Sequence, residues 1–345
     1  MSDRPLAITA TGMVTGVGLD TYSSCAAIRA AIDNFQETRF MDEQGEWIQG
    51  CAVPLEEQLQ GARKLAMMLC KALEECAAQA QVHLEEIPVI ICLSEPERPG
   101  IPENLGNKVF FLVQEFLGMP LHRDSAVIKQ GRAGGIYALK LARDILYQNK
   151  LNHVLVCGVD SLLNAHSIRY FETQDRLLTS HHSDGFIPGE AAAAILLSPP
   201  QCSQQNQLLC MGLGFAVEQA TISAGLPVRA DGLTQALNMA FEEAGSSMND
   251  MDFRIVDVAG EQYWFKEAAL ALSRLLRVHK QGFPIWHPAD CIGEVGAAIV
   301  PVCLAYLKVA FEKGFAAGSN IVHHASNDDG QRSVAILRFG AWSEQ

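Results

Sequence analysis

His153-Val-Leu-Val-Cys157-Gly-Val-Asp160-Ser-Leu-Leu163 and Asp184-Gly-Phe-Ile-Pro-Gly189-Glu190-Ala-Ala-Ala-Ala-Ile-Leu-Leu197 decide the fold. The run from His153 to Gly158 is apolar on both faces, as expected of a strand in the middle of a covered sheet. Ala191 to Leu197 reads as another such strand. Upstream stands a short strand, Ser125-Ala-Val-Ile128, followed by Gln130-Gly-Arg132-Ala-Gly-Gly135 and a helix from Ile136 to about Gln148. Strands alternating with helices in this way predict an α/β sheet with helices packed on its faces.

The same alternation extends in both directions. Val89-Ile-Ile-Cys-Leu93 is a strand, with Pro88 at the strand-start position where proline is tolerated. Leu65, Met68, Leu69, Ala72, Leu73 and Cys76 fall on one face of a helix over 62–80. Leu6 to Thr11 is a strand, with Gly12, Gly16 and Gly18 read as tight turns, and Ser23 to Ile32 reads as a helix. Glu95-Pro-Glu-Arg98-Pro-Gly-Ile-Pro102 is expected to be an exposed loop, and Val109 to Leu117 a helix. On the other side, Ser198-Pro-Pro-Gln-Cys-Ser-Gln-Gln-Asn206 is polar and is the linker candidate. Beyond it the pattern resumes with strands near 208–217, 254–258 and 333–339 and helices at 232–245, 264–277 and from about Gly293. The chain therefore divides into two similar α/β halves, 1–200 and 207–345, matched in element order rather than residue by residue.

At 345 residues and 49% hydrophobic, the chain has enough apolar side chain for a sizeable core. Its net charge of −13 argues against general binding to nucleic acid or an anionic membrane, both of which need positive charge. The ten cysteines include no CxxC and no zinc spacing, and most sit among apolar neighbours. They read as reduced, buried thiols. Met1-Ser-Asp-Arg-Pro5 runs into a strand rather than a signal peptide's apolar core. The apolar stretch Gly296–Phe311 is too short to span a membrane and carries Lys308, so a cytoplasmic protein is expected.

Three stretches together resemble the β-ketoacyl synthases of the thiolase superfamily: Ile8-Thr-Ala-Thr-Gly12-Met-Val-Thr-Gly-Val-Gly18, Cys157-Gly-Val-Asp160-Ser, and Asp184-Gly-Phe-Ile-Pro-Gly189-Glu190-Ala. The resemblance implies a five-layered αβαβα fold of two related halves, usually dimeric. It also implies a chemistry. In that family a cysteine at a buried helix N-terminus attacks an acyl thioester, and two histidines polarise the incoming malonyl group. Set on the nucleophile segment, Gly131-Arg-Ala-Gly-Gly-Ile-Tyr-Ala-Leu139 carries Arg132 at the cysteine position. Val256-Asp-Val-Ala-Gly260 carries Ala259 at the first histidine, and Cys291-Ile-Gly-Glu294 carries Glu294 at the second. Ala289 stands where the family has a lysine, and Ala325-Ser-Asn-Asp-Asp-Gly330 replaces the glycine-rich closing loop.

A guanidinium is no nucleophile, alanine has no proton to give, and a carboxylate repels a developing enolate. Gln130 has a counterpart in decarboxylating relatives that carry glutamine for the cysteine, but those keep both histidines. The expectation is a pseudoenzyme with no catalytic residue, no cofactor and no metal. Cys157 in its apolar strand is a poor thiolate, and no Gly-x-Ser-x-Gly elbow is present. The pairs His181-His182 and His323-His324 are poor chelates, because strand neighbours point to opposite faces. Gly212-Leu-Gly214 reads as a strand-edge turn. Arg132 at a helix N-terminus needs a counter-charge, so it is expected to pair with Glu294 or a nearby carboxylate such as Asp328.

An inactive, symmetric platform serves by binding. The stretch from Ala26 to Asp42 looks most like the thiolase-like proteins of type VI secretion clusters, which implies an adaptor or chaperone for a secretion effector or spike protein. The alternatives are an inactive, chain-length-factor-like partner of a ketosynthase, or an acyl-condensing enzyme with an unrecognised nucleophile. A homodimer is expected in the first case and a heterodimer in the second.

Overall fold

The computed structural model describes residues 4–56 and 59–343, so the Met1–Asp3 start lies outside the described residues. The strands are β1 (Leu6–Thr15), β2 (Gln36–Met41), β3 (Trp47–Gly50), β4 (Val89–Leu93), β5 (Ala126–Lys129), β6 (Val154–Ser161), β7 (Glu190–Ser198), β8 (Ser203–Val217), β9 (Phe253–Val256), β10 (Ile285–Trp286), β11 (Asn320–Ser326) and β12 (Gln331–Trp342). The helices are α1 (Thr21–Arg29), α2 (Gly61–Ala80), α3 (Leu105–Leu117), α4 (Gly134–Asn149), α5 (Ala165–Thr173), α6 (Asp231–Ala244), α7 (Gln262–Leu275), α8 (Ala289–Ile292) and α9 (Ile299–Glu312).

Ten strands follow the order β10-β9-β11-β12-β8-β1-β7-β6-β4-β5, and β2 and β3 form a separate hairpin. Outward from its centre the sheet reads β1-β7-β6-β4-β5 on one side and β8-β12-β11-β9-β10 on the other. Numbered within each half, both sides have the order one, five, four, two, three. The internal duplication inferred from element order is therefore present as topology. β1 and β8 join the halves through a short antiparallel register, Leu6↔Cys210 to Ile8↔Leu208.

The layers follow from three hydrophobic clusters. One holds α2 and α3 residues such as Leu69, Leu73 and Val109 against Ile91, Leu155 and Ala194 of the first half's strands. Another holds α6 residues such as Leu233, Ala236 and Leu237 against Met211, Val322 and Val334 of the second half. The largest lies between the halves. It contains Ile136 and Leu139 of α4, Ile299, Val302 and Leu304 of α9, and inward residues of both sets of strands. Helices, strands, paired central helices, strands and helices make five layers, as the resemblance implies. α9 is apolar on almost every face because it is packed on almost every face: Ile299 through Leu307 are all buried.

Four local expectations change. The linker proposed over Ser198–Asn206 shrinks to the connection between β7, ending at Ser198, and β8, starting at Ser203. Gly12 is not a turn but lies inside β1, where a Cβ would strike the Ala72 carbonyl of α2. Gly212 and Gly214 likewise sit inside β8, pressed on the α6 carbonyls of Ala240 and Ala236. Sequence alone reads these glycines as bends, but they are the places where a helix backbone approaches its strand closely. The loop Glu95–Pro102, expected to be exposed, carries Arg98 inward with 6% of its surface accessible.

Nine of the ten cysteines are buried and Cys202 is exposed; all are free thiols. Burial raises Cys157 well above the ordinary thiol value, in keeping with its reading as a packing residue. No helix among the described residues is long and apolar enough to cross a membrane.

Candidate functional site

β5 ends beside Gln130 and hands the chain to a single tight turn, Gly131–Ala133, from which α4 starts. Gly131 has φ +49°, and a Cβ there would collide with the Glu95 carboxylate. The second half builds the same device. Gly296, at φ +53°, opens a turn leading into α9, and a Cβ there would collide with Asp160. These left-handed glycines are equivalent points of the duplication, and each admits a carboxylate against the start of a central helix.

Arg132 is carried inward by the first of these turns. Its Nη1 donates to Glu294 Oε2 at 3.3 Å and its Nη2 to Asp328 Oδ1 at 2.9 Å. Its Nε lies 3.9 Å from Asp257 Oδ2, and its guanidinium stacks 4.4 Å from the centre of the Trp264 ring. The Arg132–Glu294 and Arg132–Asp328 pairs expected from charge are both present. Glu294 is fixed in turn by Gly296 N, which donates to its Oε1 at 2.8 Å. Asp257, just past the end of β9, accepts from Ser326 N at 2.8 Å. Asn327 ties the closing segment to the turn, accepting from Ala133 N at 3.0 Å and donating to Gln130 O at 2.7 Å.

Two further arginines complete the cluster. Arg176 grips Glu261 through Nε (2.6 Å) and Nη2 (2.9 Å), and also contacts both Asp328 oxygens. Arg98 bonds Asp160 and lies 3.9 Å from Glu95. Trp264 Nε1 donates to Glu261 at 2.9 Å. Next door, fully buried Arg332 shares its Nε–H between the two Glu267 oxygens at 2.9 and 3.0 Å. Between these groups remains a cavity of about 30 Å³, lined by Arg98, Arg132, Arg176, Glu294, Asp328 and the rings of Phe171 and Phe186. That is room for about one water.

Charge in this cluster is unbalanced: Arg98, Arg132 and Arg176 face Glu95, Asp160, Asp257, Glu261, Glu294 and Asp328. Burial pushes the Glu294 carboxyl up to about 7, against the pull of Arg132. Burial would also raise Asp328, but Arg132 and Arg176 together hold it below the usual carboxylate range. For Arg132 burial acts to lower the pKa, yet Glu294, Asp328 and Asp257 outweigh it and the cation is strengthened.

The sequence-derived positions are therefore brought together in part. Arg132 and Glu294 touch. Ala259 packs against the apolar group of Leu162, Phe171 and Phe186, whose members form one wall of the small cavity. Ala289 is buried at the start of α8 and is not among the cavity-lining residues. Arg98, Arg176, Trp264 and the role of Asp257 were missed. The arginines lie in irregular segments with no periodicity. Asp257 stood inside the Val256–Gly260 motif, where two residues' distance from the histidine position was the available signal. His323 and His324 lie on β11 and are both buried, while His182 sits in a loop with its Nε2 2.7 Å from Asp184 O. No cluster of metal-ligating side chains occurs among the described residues.

Residues 125–201 match the family model of the β-ketoacyl synthase N-terminal domain. No curated protein matches the chain in sequence. Among solved structures, the ishigamide ketosynthase/chain length factor superposes with a TM-score of 0.77 at 16% identity, covering 99% of this chain and 100% of that one. A ketosynthase in complex with its chain length factor from Xenorhabdus doucetiae gives 0.72 at 12% identity, covering 97% and 98%. A β-ketoacyl synthase from Burkholderia phymatum gives 0.73 at 14% identity, covering 97% and 99%. At such identities the likeness is one of fold. The chain has the thiolase-like fold of the β-ketoacyl synthases, and its sequence carries the mark of that family over 125–201.

Proposed function

We propose that this chain performs no acyl condensation and works by binding another protein. The observation that carries this reading is Arg132, held by Glu294 and Asp328 with Asp257 beside it, at the point where the resemblance places a nucleophilic cysteine. A guanidinium cannot attack a thioester. The flanking positions hold alanine and a carboxyl group in place of two histidines, and the space left among these groups is about 30 Å³.

The first reading of the partner is a secretion effector or spike protein, with the chain as adaptor or chaperone in type VI secretion. It is supported by the likeness of Ala26–Asp42 to the proteins of those clusters. The second is a ketosynthase, with this chain as its chain-length-factor-like partner. The similarity of fold to structures of ketosynthases with chain length factors favours it.

The test is intact-mass spectrometry of the full chain after incubation with acetyl and malonyl thioesters of pantetheine. No adduct is expected, nor one on an Arg132→Cys variant, whose thiol would lack histidine partners and face carboxylates. Stoichiometric labelling of any wild-type residue overturns the reading. Co-expression with the proteins encoded beside it then separates the partners: a co-purifying spike or effector supports the first, a co-purifying ketosynthase the second.

A further inference from the structure

α7 carries two apolar faces. One packs into the fold through Trp264, Ala268 and Ala271. The other shows Phe265 and Ala269, with Leu272 and, just past the helix end, Leu276 half-buried below them, and borders a groove of about 520 Å³, closed on its far side by Ile285 of β10. Phe265 and Val278 at its rim are 36% and 49% exposed.

Arg254 of β9 also lines this groove. Its Nε is buried without a hydrogen-bond partner, and no carboxylate among the described residues pairs with it. Its guanidinium rests 5.0 Å from the Phe283 ring. In a chain with 39 acidic residues against 26 basic ones, an arginine in an apolar groove without a carboxylate is unusual. Burial alone lowers its pKa. Lys266 and Arg277 are exposed and next in sequence to lining residues. His279 is exposed nearby; Lys280 is engaged with the Asn249 and Met251 carbonyls, and Arg274 with Asp231. β10 is only two residues long and follows Pro284, a blunted edge that discourages an added strand.

The geometry points to a docking groove for an acidic amphipathic helix of a protein partner, its apolar side chains lying along α7 and β10 and one carboxylate reaching Arg254. This rests on the protein-binding reading above and adds the chemistry of the partner.

The probe is a fluorescein-labelled amphipathic peptide with leucines on one helical face and glutamates beside them, with a lysine-for-glutamate version as control. Anisotropy with the full chain should show binding of the acidic peptide, weakening with added salt, and little binding of the lysine version. Arg254→Met should bind about tenfold or more weakly while melting no lower than wild type, since it removes an uncompensated cation and keeps the packing. Phe265→Glu, at an exposed lining position, should abolish binding while leaving the melting temperature near that of wild type. Equal affinity for both peptides, no binding of the acidic one, an unaffected Arg254→Met, or binding only to phosphatidylglycerol vesicles overturns the proposal. Thioester labelling reads out separately, so the groove can fail while the non-catalytic reading stands, and the reverse.

Discussion

Arg132 stands at the N-terminal end of α4, where the helix dipole presents partial positive charge to a cation. It is held there because Glu294, Asp328 and Asp257 converge on it and Trp264 covers its plane. Removing one partner of a buried ionic cluster leaves the rest uncompensated, which costs more than the pair contributes when intact. Arg132→Ala should therefore lower unfolding free energy by about 3–5 kcal/mol, read as a shift of the urea midpoint at unchanged slope. Arg132→Lys should fall between the two, because an ammonium cannot present the guanidinium's planar fork. The pair itself was legible in the sequence, since Arg132 and Glu294 both interrupt recognisable segments with charges of opposite sign. Arg98 and Arg176 were not, because they enter the site from irregular loops whose path is set by packing.

At the scale of elements, β11 shows how burial overrides residue type. His323 and His324 adjoin the segment Ala325–Gly330, and their strand is paired on both sides, with β9 and β12. His323 Nδ1 lies 2.9 Å from Ile255 O. Burial lowers the two imidazoles to about 4 and about 3, with repulsion from the charged form of His323 and from Arg254 and Arg332 adding to the effect on His324. Native β11 therefore holds them neutral, whereas the unfolded chain takes up protons below about 6.5. The unfolded state binds more protons across that window, so this contribution to stability is present above pH 6.5 and is lost as pH falls toward 4 and 3. His324→Leu should flatten the decline of stability between pH 6.5 and 4 by about one proton's worth of slope, measured as urea midpoint against pH. A decline as steep as wild type would mean that His324 is not held neutral. Many elements followed from periodicity, but β2, β3, α5, β10 and β11 did not, the helix expected from about Gly293 starts only at Ile299, and the glycines misled. Gly12 and Gly214 look like turns in a string of letters and are contact points between strand and helix in space.

For the molecule as a whole, the two halves share one sheet through β1 and β8 and one core between α4 and α9. Neither half contains the second wall of that core, so neither should fold alone. We expect a single cooperative thermal transition for the full chain, with calorimetric and van't Hoff enthalpies equal. Residues 1–200 alone should bind a hydrophobic dye and lack a cooperative transition. Two resolved transitions in the full chain would instead mean that the halves are autonomous. By itself the sequence determined the α/β alternation, much of the duplicated element order, the burial of most cysteines and the opposite charges at Arg132 and Glu294. These are properties of local period and residue chemistry, which survive in one dimension. Tertiary structure decided that segments distant in the chain bring six carboxylates and three arginines into one cluster with a space of about one water inside it, and that α7 turns an apolar face, and β9 its Arg254, toward an open groove. Convergence and exposure depend on how strands are ordered across the sheet, and no local pattern encodes that order.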